Sequence, residues 1–313
     1  MISNTEYHIP VLLNKAVEFV LNENIKKKVI ADGTLGGGGY SRKICEGLDK
    51  DDALISIDKD INAIDHAKES LRSCSCRIFL ANNNFAEIKD LTAKLGFEKI
   101  SGLVLDLGLS SYQLEAEDGF SYMKDTGLDM RADKGAELKA SDVINSYSKD
   151  ELTKVFYDYG EIGNAERLSD SLWKARRKKK LETTFDLVEA IDAEYKINPK
   201  DRISFLSKIF QALRIEVNGE MEDLNKVLND SADVLEKGGR LVVVSYHSLE
   251  DRIVKNFFKE SAASYVQSAN PFYTEPKEQT FKILTKKAIT PEAEEIRFNN
   301  RSRSAKLRAA ERL

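Results

Sequence analysis

The sequence predicts an α/β fold: a parallel, doubly wound sheet whose rhythm is broken by a long helical insertion. Three observations carry that prediction. Apolar runs of strand length at Val29–Ala31, Ala53–Ile57, Arg77–Leu80 and Leu103–Leu105 alternate with helical patterns, as in successive βαβ units. The stretch VIADGTLGGGGYS at 29–41 passes from a buried-type strand through consecutive glycines into helix signals from Ser41 to Ile44. From about Leu114 to Arg214 no strand pattern is evident, and apolar residues recur at helical spacing instead.

Taken in order, residues 7–21 read as an extended entry around Pro10 followed by a helix capped near Asn14. Asp32 then places a carboxylate at the end of the first strand, and Gly36 to Gly39 let the backbone approach a ligand where a Cβ would collide. The turn alone leaves the ligand open. Its spacing fits the dinucleotide pattern G-x-G-x-x-G/A poorly, since Ser41 stands at the sixth position counted from Gly36. It lacks the Gly-Lys-Ser/Thr ending of a phosphate-binding loop, which leaves a phosphate-free nucleoside such as S-adenosylmethionine, or a tight turn with no ligand that four costly consecutive glycines disfavour.

Asp58 lies about 20 residues past the turn, where a carboxylate reaches the ribose hydroxyls of NAD or S-adenosylmethionine alike. A helix covers Ile61 to Leu71, and Asn82-Asn83-Asn84 leads to Phe85, an aromatic suited either to flank an adenine or to fill the core. Asp106 ends the fourth strand. Ligands of doubly wound sheets bind beyond the carboxyl ends of the strands, where Asp32, Asp58, Phe85 and Asp106 all fall.

Within the insertion, Leu152, Val155, Phe156 and Tyr159 mark one helix, and Leu168, Leu172 and Ala175 another. Thr183 with Asp186 reads as a capping box before Leu187, Val188 and Ile191, and Ile209, Phe210 and Leu213 mark a further helix. Val217, Met221, Leu224, Leu228 and Leu235 then line a helix stopped at Gly238-Gly239. Arg240–Val244 is a fifth strand, Ser248–Lys259 a helix and Thr280–Leu284 a late strand. The expected division is a sheet domain over 1–113, an inserted helical substrate-recognition domain over 114–214, and the rest of the sheet domain over 215–313 with a basic C-terminal tail.

Composition narrows the class. The 313-residue chain has no apolar run near the roughly 18 residues a membrane span needs, and residues 1–9 lack a signal-peptide apolar core. The three cysteines, Cys45, Cys74 and Cys76, form no C-x-x-C pair, so reduced thiols in a cytoplasmic protein are expected rather than a disulfide framework or zinc site. His8, His66 and His247 lack ligand spacing, so no metal is expected. A net charge of −4 argues against indiscriminate coating of nucleic acid. It conceals two basic runs, KARRKKK at 174–180 and the tail carrying Arg301, Arg303, Lys306 and Arg308, of the kind that contacts phosphates locally.

Three stretches, DLGLSSYQ at 106–113, GFSYMKDTGLDMRAD at 119–133 and SYHSLEDR at 245–252, are too rich in polar residues and special glycines to be ordinary connections. HIPVLL at 8–13, DGTLGGGGYS, DLGLSSYQL at 106–114, GFSYMKDTGLDMR at 119–131, FQALRIEVN at 210–218, SYHSLEDRIVKNFF at 245–258 and RSRSAKLRAAER at 301–312 together resemble the small-subunit ribosomal RNA methyltransferase H (MraW) family. The likeness runs in order from residue 8 to 312.

The resemblance implies a class I S-adenosylmethionine-dependent methyltransferase fold, Rossmann-like, with an inserted helical subdomain, and N4-methylation of a cytidine in the P-site region of 16S rRNA. It implies cofactor contacts at Gly38, Gly39, Tyr40, Asp58, Phe85, Asp106 and Gln113. By analogy with other amino methyltransferases, the target amine is expected beside Asp106, Ser110, Ser111 and Tyr112. His247 is a further candidate base, and Asp129 with Arg131 a candidate ion pair in the active-site loop. The implied partner is 16S rRNA in the small ribosomal subunit, with neither DNA nor membrane, and the pattern is compatible with a homodimer.

The sequence departs from the family at Tyr40 (usually His), at Tyr112 (usually Pro) and at Ser204–Lys208, where the family has His-Pro-Ala-Thr-Arg. A non-catalytic RNA-binding or ribosome-assembly module is the alternative reading. A NAD-dependent oxidoreductase is disfavoured by the glycine spacing.

Overall fold

The computed structural model describes residues 10–108, 118–195, 197–267 and 274–313. The chain forms two compact units, one of Met1–Ser110 with Glu222–Leu313 and one of Ser111–Met221.

The first unit is built on β1 (Val29–Asp32), β2 (Ala53–Asp58), β3 (Arg77–Asn82), β4 (Ile100–Asp106) and β5 (Leu235–Ser245). A small antiparallel ribbon follows, β6 (Tyr265–Gln267) with β7 (Thr274–Pro276), then β8 (Phe281–Ile283) and β9 (Lys306–Arg312). The seven-stranded sheet has the order β3-β2-β1-β4-β5-β9-β8. The first five strands are parallel, and β9 runs antiparallel to both β5 and β8. The strand order reverses between β1 and β4, which makes their carboxyl ends the switch point where such sheets bind ligands.

Helices of the first unit are α1 (Leu13–Val20), α2 (Gly39–Cys45), α3 (Ile61–Ser70) and α4 (Ile88–Lys94). The second unit contributes α5 (Ala140–Ser146), α6 (Lys149–Asp158), α7 (Ala165–Lys178), α8 (Thr184–Glu194) and α9 (Pro199–Asn218). The chain returns to the sheet through α10 (Glu220–Val234), followed by α11 (Ser248–Ser261) and the short α12 (Ala293–Phe298).

The period-2 pattern of the strands builds two cores. Ile30, Leu54, Val104, Val242 and Val244 face α1, α2 and α3 through Val20, Ile44 and Ile64. Their alternating neighbours Ala31, Ile55, Leu103, Leu105 and Val243 face α4, α10 and α11 through Ile88, Leu228 and Val254. Both faces are covered, which is why these strands read as continuous apolar runs.

In the second unit Leu152, Val155 and Phe156 of α6 and Leu168 and Leu172 of α7 are buried, as their helical spacing requires. Thr183 and Asp186 form the capping box expected at the start of α8. Among the described residues, no helix is long and apolar enough to cross a membrane.

Several expectations are corrected. The helix expected from Val217 to Leu235 is two helices, because Gly219 adopts φ 60° and ends α9, and Leu235 already opens β5. Gly238, expected to stop the helix, lies inside β5 at φ 83°, in the segment where the pairing with β4 shifts register. The first helix begins not at an Asn14 cap but after Leu12, held at φ 53° with no side-chain cap. Its N–H donates to Glu295 Oε1 at 2.7 Å, a partner 283 positions away.

The cysteines also differ from expectation: Cys45 and Cys74 are disulfide-bonded with a Cα–Cα distance of 5.6 Å, and Cys76 is free and buried. The end of α2 and the turn after α3 pack on one sheet face, a proximity that cysteine spacing does not encode.

The C-terminal run is not a basic tail free for RNA along its length. Residues 306–312 form β9, where Lys306 and Arg308 bind Asp251 at 3.0 and 2.7 Å. Arg312 donates to the carbonyls of Ala232 and Thr280. Much of the run at 174–180 is likewise committed. Lys174 pairs with Asp170, Arg176 donates to the Ile144 and Tyr147 carbonyls, Arg177 lies 4.7 Å from the Trp173 ring centre, and Lys179 pairs with Asp186.

Candidate active site

The site grows from three carboxylates at the ends of adjacent parallel strands. Asp32 ends β1, Asp58 ends β2 and Asp106 ends β4. Asp32 is fully buried; Ser41 Oγ donates to its Oδ2 at 2.7 Å and the Thr34 N–H to its Oδ1 at 3.1 Å. Burial is the dominant influence and lifts its pKa to about 6 against these bonds. Asp58 accepts the Gly36 N–H on Oδ2 at 2.7 Å and the Asp60 N–H on Oδ1 at 2.9 Å, and burial raises its pKa as well.

Asp106 accepts a hydrogen bond from Tyr246 Oη at 2.7 Å, and its own N–H donates to Thr34 Oγ1 at 2.6 Å. Desolvation, reinforced by the nearby Asp32 and Glu250 charges and only partly offset by the tyrosine, pushes its pKa to about 8. Among the described residues, no lysine or arginine forms an ion pair with Asp32, Asp58 or Asp106. Three desolvated carboxyls at one sheet end without a cation of their own favour a positively charged ligand.

The glycines serve this turn in different ways. Gly36 and Gly38 occupy φ 48° and 78°, conformations that side chains resist. Gly39 is instead constrained by packing: a Cβ there would lie 2.1 Å from Pro10 Cγ, so the neighbour it admits is the chain itself. Gly33, which the motif did not single out, allows Leu105 and Phe85 to close on the strand end, where a Cβ would meet them at 2.5 and 3.1 Å. Tyr40 turns its ring into the core, with Oη donating to the Val11 carbonyl. Burial, together with the Asp106, Asp32 and Glu295 charges, holds its hydroxyl well above the usual tyrosine range. Any ligand contact of Tyr40 is therefore a backbone contact.

Phe85 opens a 3-10 turn after Asn84, whose side chain accepts the Ala86 N–H and donates to Asp223. Lys59 also binds Asp223, at 2.6 Å, which ties the ends of β2 and β3 to α10. Ser110, Ser111, Tyr112 and Gln113 lie outside the described residues.

His247 is a capping residue. It is the N-cap of α11, with Nε2 3.1 Å from Glu250 Oε1. Asp129 and Arg131 do form a bidentate pair, at 2.7 and 2.8 Å, and Arg131 also donates to the Ala136 carbonyl. That arrangement closes their own loop in the helical unit.

Sequence reasoning missed Tyr246, Thr34 and Gly33. Tyr246 stood in a stretch flagged as unusually polar, but its attachment to Asp106 depends on β4 and β5 being neighbours. Thr34 shows no signal beyond its place in the turn.

A doubly wound sheet with a glycine turn after β1 and acids ending β1, β2 and β4 defines a class I S-adenosylmethionine-dependent methyltransferase. The sequence profile of the MraW methylase family matches residues 5–313, and the chain belongs to that family. Ribosomal RNA small subunit methyltransferase H of Clostridioides difficile (strain 630) is 44% identical over 313 residues, covering 98% of this chain and 99% of that one. The protein of the same name from Persephonella marina is 41% identical over 310 residues, with 98% and 99% covered. Among solved structures, an rRNA methylase from Streptococcus thermophilus aligns with a TM-score of 0.43 and 11% identity, covering 96% of this chain and 93% of that one.

Proposed function

We propose that the protein transfers the methyl group of S-adenosylmethionine to N4 of a cytidine in the P-site region of 16S rRNA, acting on the small ribosomal subunit. The observation that carries the reading is the set of desolvated carboxyls at the ends of β1, β2 and β4, which form no ion pair with a lysine or arginine among the described residues. Membership of the MraW methylase family and relatives named for small-subunit rRNA methylation supply the substrate class.

The cofactor supplies an electron-poor methyl group on a sulfonium, beside an ammonium. Asp106 and Asp32 answer that positive charge. Asp58 accepts the Gly36 N–H on Oδ2 and the Asp60 N–H on Oδ1, and a remaining lone pair of the carboxylate accepts a ribose hydroxyl. Phe85 flanks the adenine, and the backbone of Gly38, Gly39 and Tyr40 lines the turn. Gln113 completes the cofactor set.

Cytosine N4 is a weak nucleophile because its lone pair is delocalised into the ring. Asp106, with Ser110, Ser111 and Tyr112, orients the amine and accepts hydrogen bonds from it as its proton is lost. Reaching N4 requires an unstacked cytidine, which Tyr112 receives. The helical unit grips the surrounding rRNA.

Transfer of labelled methyl groups to small subunits from a strain lacking the modification tests this, with nuclease digestion to identify the nucleoside. Label in N4-methylated cytidine, lost in Asp106→Ala, is the expected result. Label in another nucleoside overturns the substrate. No label despite cofactor binding favours a non-catalytic RNA-binding module.

A further inference from the structure

Phe298, at the end of α12, is 79% exposed. An isolated exposed apolar residue is ordinary on a protein surface, so exposure alone assigns nothing. Its surroundings are distinctive. Arg297, Arg301 and Arg303 are exposed within five positions of it, and no acidic residue occurs between Ile296 and Ala310. The acids of α12 lie toward its start, and Glu295 is committed to the Leu12 N–H.

The segment is also built rather than loose. Asn299 Oδ1 accepts the Arg301 N–H, and the fully buried Ser302 donates its hydroxyl to the Asn299 carbonyl at 2.6 Å. Asn299 N–H closes on Glu295, and the buried Ala305 leads directly into β9. Phe298 and Arg297 at the end of α12 are thus displayed beside Arg301 and Arg303 of the 3-10 turn Asn300–Ser304, a segment anchored at both ends. Its attachment through Glu295 to Leu12 places it against the segment that covers Gly39 of the cofactor turn.

Stacking aromatics interleaved with arginines suit unpaired RNA: each base offers a π-face and each phosphate a charge, whereas the bases of a duplex are hidden in their stack. We infer that the α12 to 3-10 surface is a platform for single-stranded RNA, with Phe298 stacking on an unpaired base and Arg297, Arg301 and Arg303 holding the flanking phosphates. The inference rests on the reading above that RNA is the substrate, and adds to it the contact beside the cofactor turn.

The test is binding of a short unstructured oligoribonucleotide to the full chain by fluorescence anisotropy across a salt series, with the same sequence as a duplex and a heparin fragment as comparisons. Phe298→Ala weakens single-strand binding roughly fivefold or more with the salt slope unchanged, and leaves duplex and heparin binding as in the wild type. Phe298→Trp retains the affinity, and Arg301→Ala with Arg303→Ala lowers the salt slope.

Unaltered single-strand affinity in Phe298→Ala, equal losses on all three probes, or no single-strand binding by the wild type each overturns the platform. Methyl transfer to small subunits is measured in parallel. RNA methylation with an indifferent Phe298 removes only this inference. Stacking-dependent binding without RNA methylation removes the proposed reaction and leaves the platform standing.

Discussion

Tyr246 Oη donates to Asp106 Oδ1 at 2.7 Å, joining the residue just beyond β5 to the last residue of β4. The tyrosine ring also packs on Gly108, which has φ 102°, so it braces the chain where it leaves the sheet toward the proposed substrate loop. Deleting this hydroxyl leaves a buried carboxyl short of a donor. Tyr246→Phe is expected to reduce methyl transfer by about tenfold, since a hydrogen bond to a charged group contributes about 1.5–3 kcal/mol. The tyrosine lowers the Asp106 pKa, so its loss moves the pH dependence of cofactor affinity to higher pH. Unchanged turnover and an unshifted profile would remove Tyr246 from the site.

Cofactor binding itself should be linked to protons. With the Asp106 pKa lifted to about 8, the free protein holds this carboxyl largely neutral at pH 7. A cationic ligand favours the ionised form, so binding expels a proton and affinity rises with pH until it levels above about 8. Calorimetric titration with S-adenosylmethionine in buffers of different ionisation enthalpy measures the released proton. Asp106→Asn should abolish the Asp106 share of the release, and identical proton release in that variant would contradict the assignment.

The same carboxyls set the pH dependence of stability without cofactor. Both folded pKa values, about 6 for Asp32 and about 8 for Asp106, lie above the ordinary 3.8. Their contribution is therefore fully present below the unfolded pKa and is lost as pH rises through the folded values. The melting temperature should fall from about pH 4 to about pH 8, and Asp106→Asn should flatten the part of that fall above about pH 6. Parallel curves for the two proteins would count against a buried, neutral Asp106.

Gly39→Ala tests the cover on the cofactor turn. The added methyl would come 2.1 Å from Pro10 Cγ, forcing the 10–12 segment away from α2. A destabilisation of about 1–3 kcal/mol is expected, as for overpacking elsewhere. Cofactor affinity should weaken with it, because the Tyr40 to Val11 bond crosses the same contact. Urea unfolding and cofactor titration check the two effects separately, and full retention of both would contradict the packing.

Arg308 and Arg303 should separate cleanly. Arg308 binds Asp251 with only 13% of its side chain exposed, whereas Arg303 lies exposed on the 3-10 turn. Arg308→Ala is expected to cost about 1–3 kcal/mol in unfolding free energy by leaving Asp251 short of a partner. Arg303→Ala should leave stability within about 0.5 kcal/mol. Equal unfolding midpoints for the two variants would show that the Asp251 contact contributes little.

By itself the sequence determined the five parallel strands, because strands covered on both faces must be continuously apolar and must alternate with helices. It also placed Asp32, Asp58 and Asp106 at strand ends, since each directly terminates an apolar run. The helices at 149–158 and 165–178 were legible for the same reason, through spacing that reports a buried face.

Only the tertiary structure decided which polar groups meet. Tyr246 reaches Asp106 because β5 lies beside β4, and Glu295 caps Leu12 from the opposite end of the chain. Lys306 and Arg308 looked like a basic tail because charge is visible in sequence while its partner Asp251 is not. Cys45 and Cys74 met for a similar reason, through the packing of α2 and the turn after α3 on one sheet face. Local spacing encodes periodicity and burial, whereas partners distant in sequence are set by strand order and packing.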